Sequence, residues 1–189
     1  MSEVITKDVQ RRAGLAARNA LDAESYQRFS KIICENLLAD SSFSRSGVIL
    51  SYQPLGKEAD TGLFNAHALH LGKQLAFPIC HGDGLMTAAA PYAPEDLEVG
   101  IYGIKAPLEE RSRIIRPEEI DLVIVPCVAF DGKSRARIGR GAGYYDRYLP
   151  LCENAVSIAI AFEVQGLDGA CCDAWDIPVD AIITEVKRY

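Results

Sequence analysis

The chain has 189 residues, 49% of them hydrophobic and 24% charged, which fits one globular domain over residues 1–189 and excludes a disordered chain. Its longest largely apolar stretches, Leu122–Phe130 and Ala155–Phe162, have nine and eight residues, whereas a membrane helix needs ~20. A net charge of −6 speaks against a general nucleic-acid binder. The chain then reads, from its start to about Asn19, as a helix with Lys7, Arg11 and Arg18 on one face. Asp22 is a helix cap before Tyr26, Phe29, Ile33 and Leu37, an apolar stripe at helical spacing that ends near Asp40. Val48–Tyr52 reads as a strand, followed by a helix from about Asp60 to Leu71. Gln74–Pro78 and Met86–Ala90 are short strands, and the Pro-, Gly- and charge-rich span from Pro91 to Pro117 reads mostly as loop. Leu122–Val125 and Val156–Ala161 have the β-branched character of buried central strands, and Ala181–Thr184 is a last one. Strands alternating with helices predict a three-layer α/β domain whose largely parallel sheet is flanked by helices. A ligand is expected at the carboxyl ends of those strands.

Charge is unevenly spread. Lys133, Arg135, Arg137, Arg140 and Arg147 against Asp131 and Asp146 make residues 131–147 a basic island, and Lys7, Arg11, Arg12 and Arg18 make another in the first twenty residues. Two such islands on an acidic chain suit a compact anionic ligand or, equally, solvated surface. Six cysteines form no Cys-x-x-Cys pair, and the N-terminus lacks the apolar core of a signal peptide. A cytoplasmic, reduced protein follows from these readings.

The segment Arg137-Ile138-Gly139-Arg140-Gly141-Ala142-Gly143-Tyr144-Tyr145-Asp146 carries the chemistry. Alternating glycines permit positive φ and let the main chain close on a ligand. Inward-turned N–H groups make an anion nest, and a helix beginning at Tyr144 adds favourable potential for phosphate. Arg137 and Arg140 are suited to bidentate contact with phosphate oxygens. Tyr144 and Tyr145 offer flat faces to a ring, and Asp146 is a hard oxygen ligand of the kind Mg²⁺ takes. Neither Gly-x-x-x-x-Gly-Lys-Ser/Thr nor Gly-x-Gly-x-x-Gly is present.

This segment resembles the signature of the 5-formyltetrahydrofolate cyclo-ligase (methenyltetrahydrofolate synthetase) family. The likeness extends to Lys7-x-x-x-Arg11, Tyr52 through Glu58-Ala-Asp-Thr61, Val125-Pro126 through Asp131, Ala161-Phe162-Glu163-x-Gln165, and Asp176 through Glu185. Gln10 and Ile138 stand where leucines are usual, and Cys127 where glycine is. The resemblance implies ATP-dependent conversion of 5-formyltetrahydrofolate to 5,10-methenyltetrahydrofolate, with ADP and phosphate released. It implies ATP binding by Lys7, Arg11 and Arg137 through Tyr145, folate binding by Glu58 and Arg140 through Tyr144, catalysis by Arg140 and Tyr144, and Mg²⁺ on Asp146 and Asp176. The partners implied are small molecules, with no nucleic acid or membrane, and the protein is expected to be a monomer. Read without the resemblance, Lys7 and Arg11 suit a solvated helix face, Glu58 a helix-terminal charge, and Asp176 a turn. Trp175 fits either packing on the nucleotide or closing the domain. His67 and His70 lack a third metal ligand, and Cys171-Cys172 lack a paired histidine. A rival class is an RNA-binding module built on the Arg/Gly/Tyr loop; a rival enzyme is an ATP-using relative acting on another formamide or amine.

Overall fold

In the computed structural model, residues 5–82, 84–100 and 103–189 are described. Helix α1 spans Lys7–Asn19, with the Thr6 hydroxyl accepting from the Val9 amide at 3.3 Å. The expected helix therefore begins at Lys7, because the cap fixes its start; the part of that expectation over residues 1–4 lies outside the described residues. Helix α2 spans Ala23–Ala39 and is capped by Asp22, whose carboxylate accepts from the Ser25 amide at 2.7 Å. Asp40 ends α2 and caps a further short helix, α3 (Ser41–Arg45), accepting from Ser42 at 2.8 Å.

Strand β1 (Val48–Leu50) leads to helix α4 (Gly62–His70), then to β2 (Gln74–Cys80) and β3 (Met86–Pro91). The span read as loop contains structure: a small hairpin of β4 (Leu97–Val99) and β5 (Lys105–Pro107), and an edge strand β6 (Ser112–Ile115). After β7 (Leu122–Pro126) the chain breaks at Cys127 and forms a hairpin of β8 (Ala129–Asp131) and β9 (Ala136–Ile138). Helix α5 (Tyr144–Tyr148), β10 (Val156–Ile160) and β11 (Ala181–Ile183) complete the described elements.

Among the described residues seven strands form one sheet in the order β11-β10-β7-β1-β2-β3-β6. Neighbours from β11 to β2 pair in parallel, and β3 and β6 extend the sheet antiparallel. This is the expected largely parallel α/β sheet, with an antiparallel edge that the sequence concealed. The central strands are buried on both faces. Ile49, Ile124, Ile158 and Ile183 pack with Ile33, Leu37 and Phe64 of α2 and α4. Leu50, Val123, Val125, Ala159 and Ile182 pack oppositely, with Ile115, Tyr148 and Leu149. Helix α1 lies against the turn at Glu163–Gln165 and the β8–β9 hairpin. Gly14 permits the approach: a β-carbon there would stand 2.3 Å from the Val128 carbonyl oxygen.

Candidate active site

A cleft of about 910 Å³ opens where β1, β2 and β7 end. Tyr52 and Gln53 lie just after β1, Cys80 closes β2, Pro126 closes β7, and Cys127 and Val128 follow it; all line the cleft. Its position is the one expected for an open parallel sheet, at the carboxyl edge. The glycine-tyrosine segment forms one wall. Helix α1 contributes Lys7 and Arg11, the loop after β1 contributes Glu58, and the loop before β11 contributes Asp173, Trp175 and Asp176.

Of the expected site residues, Lys7, Arg11, Glu58, Arg137, Gly139, Arg140, Gly141, Ala142, Gly143, Tyr144, Tyr145, Asp146 and Asp176 all face this one cleft. Ile138 does not. Its side chain is fully buried in β9, and its carbonyl accepts from the Val128 amide at 2.8 Å. Gly141 and Gly143 have φ of +109° and +68°, a region where any other L residue is strained. Gly139 does not share that conformation. Helix α5 is only one turn or so long, so the potential at the glycine wall comes mainly from side chains rather than from aligned peptide dipoles.

Lys7, Arg11, Arg137 and Arg140 are each paired with a carboxylate, whereas Arg147 bonds carbonyl oxygens. Lys7 Nζ lies 2.6 and 2.5 Å from the two Asp176 oxygens and 3.0 Å from Asp173. Desolvation would lower the Lys7 ammonium, but its bonds to Asp176 and Asp173 outweigh that and raise it above its ordinary pKa. Asp176 answers in the opposite sense: burial pushes it up, and the hydrogen bonds from Lys7 and the Asp173 amide bring it below the usual carboxylate value. Arg137, 5% exposed, donates through Nη2 to Asp146 Oδ1 at 2.9 Å. Its Nε is buried without a partner. Arg140 donates through Nε to Glu58 Oε1 at 2.8 Å and through Nη2 to the Leu55 carbonyl at 3.0 Å. Arg11 donates to the Gly139 carbonyl at 2.9 Å and pairs with Asp8.

Tyrosines order the opposite side. The Tyr144 hydroxyl donates to the His81 carbonyl at 2.9 Å, and Arg147 donates to the Gly84 carbonyl at 2.9 Å, so the β2–β3 turn is held against the glycine wall. Tyr145 holds its ring 5.8 Å from the Arg137 guanidinium, and its buried hydroxyl has no partner among the described residues. Burial pushes that phenol well up, which keeps it neutral. Trp175 is 70% exposed and stands at the rim, so it does not close the core. Cys127 is buried at the cleft wall, and burial pushes its thiol up to about 12, far from a reactive thiolate. His67 and His70 sit on α4 with ring centroids 6.5 Å apart and do not line the cleft.

Two contributors were not singled out from the sequence. Gln10, noted only as a departure from leucine, donates to the Gly169 carbonyl and accepts from the Cys171 amide, both at 2.7 Å, pinning the loop that carries Asp176 to α1. Arg18, noted only as part of a helix face, is 2% exposed beside Glu58. A polar residue where leucine is usual is the sequence signal for Gln10; Arg18 carries none.

Asp146 and Asp176 both line the cleft, and carboxylate oxygens are the ligands Mg²⁺ takes alongside phosphates. The Ile177 amide donates to Asp146 Oδ1 at 3.3 Å, which ties Asp146 to the residue after Asp176. Both hydrogen bonds to Asp146 use Oδ1. Among the described residues no three His, Cys, Asp or Glu side chains cluster as a metal site. A metal held by these two carboxylates would have to draw its remaining ligands from phosphate and water.

The profile of the 5-formyltetrahydrofolate cyclo-ligase family matches residues 4–185. A probable 5-formyltetrahydrofolate cyclo-ligase of Schizosaccharomyces pombe is 31% identical, over 92% of this chain and 90% of the relative. The 5-formyltetrahydrofolate cyclo-ligase of Mus musculus is 28% identical, over 92% and 91%. The NMR structure of Aquifex aeolicus 5,10-methenyltetrahydrofolate synthetase superposes with a TM-score of 0.86 at 32% identity, covering 97% of this chain and 92% of that one. Fold, order of motifs and a single cleft holding the glycine-tyrosine wall thus agree, and the chain belongs to the 5-formyltetrahydrofolate cyclo-ligase family.

Proposed function

We propose that this protein cyclises 5-formyltetrahydrofolate to 5,10-methenyltetrahydrofolate at the expense of ATP, releasing ADP and phosphate. The observation that carries the reading is one cleft shared by the Arg137–Asp146 wall, the Lys7 and Arg11 cations of α1, and Glu58, in a chain of this family. A formamide oxygen is a weak nucleophile and hydroxide a poor leaving group. Transfer of the γ-phosphoryl group to that oxygen, with the O–P bond forming as the bond to ADP breaks, gives an iminium phosphate. N10 then attacks the formyl carbon and gives up its proton to solvent, the C–O bond breaks, and phosphate departs with both bonding electrons.

Phosphoryl transfer asks a protein mainly for alignment and charge neutralisation. Lys7, Arg11 and Arg137, with the backbone from Ile138 to Tyr145, would bind the nucleotide. Arg140 would neutralise the moving phosphoryl group, and Glu58 would accept N–H groups of the folate ring. Tyr144 would flank the formyl group while its hydroxyl fixes the β2–β3 turn. Asp146 and Asp176 would hold Mg²⁺, which when bound supplies charge neutralisation of the phosphates. No helix among the described residues is long and apolar enough to cross a membrane, and all six cysteines are free thiols. Both support a cytoplasmic setting, and the protein is read as one monomeric domain over 1–189. The test is ADP release measured with purified protein, Mg²⁺ and ATP. Release that depends on 5-formyltetrahydrofolate supports the reading, and release indifferent to it overturns it.

A further inference from the structure

Arg18 lies in the last turn of α1, 2% exposed, with neither Nε nor Nη1 hydrogen-bonded among the described residues. A buried guanidinium with unmade donors is unfavourable unless something else is gained. Its ion-pair partner is Glu58, where Nη1 stands 4.0 Å from Oε1, beyond hydrogen-bond reach. Arg140 Nε already occupies that same oxygen at 2.8 Å. The other oxygen, Oε2, accepts from the Leu55 amide at 2.9 Å. One carboxylate therefore serves two guanidinium groups, and the trio carries a surplus positive charge. Burial lowers the Arg18 pKa first of all; Glu58 opposes that, and Arg140 adds to the lowering.

The two arginines differ in freedom. The Arg140 side chain is 44% exposed and belongs to the glycine wall, whereas that of Arg18 is 3% exposed on a helix held close to β8 by Gly14. An anion entering the cleft can draw Arg140 away and cannot reach Arg18 without dismantling α1. We propose that Arg18 is the positioning residue for Glu58 in the occupied site. As nucleotide phosphate takes Arg140, Arg18 closes on Oε1 and holds the carboxylate where it accepts N–H groups of the folate ring. This rests on the functional reading above and adds to it a coupling: the nucleotide transfers Glu58 from one arginine to the other. A merely structural Arg18 would support the fold equally with and without nucleotide.

The experiment is calorimetric titration of the full chain with 5-formyltetrahydrofolate, in the absence and presence of saturating Mg²⁺ and a β,γ-imido analogue of ATP. Arg18→Met without nucleotide should bind folate within about threefold of the parent, because Arg140 still holds Glu58; with nucleotide it should lose about tenfold or more, a coupling of ordinary size. Arg18→Lys keeps the buried cation but not the fork, and should show the same split at about threefold. Where Arg18→Met lowers the folded fraction in a thermal melt, Arg18→Lys carries the test alone. Equal losses with and without nucleotide, or no loss in either, overturn the proposal. A parent protein that binds neither ligand overturns the functional reading instead, and that is seen before any variant is made.

Discussion

Gly14→Ala sets local propensity against tertiary packing, with opposite signs. In a helix interior, alanine is favoured over glycine by about 1 kcal/mol. By that measure the substitution stabilises α1. In the folded protein the new β-carbon would meet the Val128 carbonyl oxygen at 2.3 Å and the Ala129 β-carbon at 2.9 Å. A backbone carbonyl cannot rotate aside as a side chain can. Favourable contact needs about 3.5 Å, so α1 has to retreat by about 1 Å. Overpacking of this kind costs about 1–3 kcal/mol, which offsets the helical gain and leaves a net loss of up to about 2 kcal/mol. At about 2–4 °C per kcal/mol for a chain of this length, the melting midpoint should fall by several degrees.

Function should suffer more than stability. Helix α1 carries Lys7 and Arg11, and Arg11 is bonded to the Gly139 carbonyl at 2.9 Å. Displacing positioned groups by 1 Å can reduce turnover by roughly 10²-fold. Thermal melts and ADP-release kinetics with varied ATP measure the two effects separately. A Gly14→Ala protein that melts at or above the parent midpoint, with unchanged KM for ATP, would refute the claim that this contact sets the position of the helix.

Arg140→Ala should fold and lose roughly 10²–10³ in kcat, as loss of one aimed donor does; turnover within about threefold of the parent would remove Arg140 from the chemistry. Asp146→Asn should be most impaired at low Mg²⁺ and recover partly at high Mg²⁺, since an amide keeps an oxygen but loses the charge a hard cation favours; a defect constant across the titration would mark Asp146 as structural. Asp176 has a depressed pKa, so its contribution to stability is present above its ordinary value of 3.8 and is lost as pH falls through the lower folded value. Midpoints of the parent and Asp176→Asn should differ by a constant amount near neutrality and converge below about pH 4, and a gap that persists to about pH 2 would contradict this. Native thiol labelling should reach exposed Cys172 and spare Cys34, Cys127 and Cys152, which burial pushes up to about 11, 12 and 12.

Where the chain is periodic and long, the fold is readable from residue order. Asp22 and the Tyr26, Phe29, Ile33, Leu37 stripe define α2 to within a residue or two, because side-chain cap and buried face agree. The Leu122–Val125 and Val156–Ile160 runs declare themselves because both of their faces are buried. Strand β6 is invisible by the same logic. Its four residues alternate poorly, and they are a strand because β3 offers them an edge. Helix α3 is too short to nucleate alone and relies on Asp40 and on Phe43 entering the core. In the site, the glycine-tyrosine wall is legible because its composition is unusual. Arg18 is not, because its helical spacing from Lys7 and Arg11 says only that the three share a face. Whether that face meets water depends on the loop carrying Glu58, which is forty residues away.

The paired charges of the cleft bear on what it admits. Lys7 with Asp176, Arg137 with Asp146 and Arg140 with Glu58 leave few bare cations, although the wall looks basic in the sequence. A polyanion alone would have to take the cations and leave the partly buried carboxylates of Asp146 and Asp176 without theirs, each a costly loss. Under the proposed function, magnesium-bound ATP with a folate would avoid that penalty. Phosphates would take Lys7, Arg137 and Arg140, the metal would take Asp146 and Asp176, and Arg18 with the folate ring would take Glu58, so that every opened pair would receive a matching partner. Under that function, a chain of net charge −6 would bind a phosphate chain and still discriminate against RNA. The discrimination would come from the Asp146 and Asp176 carboxylates, which a ligand carrying a metal would satisfy.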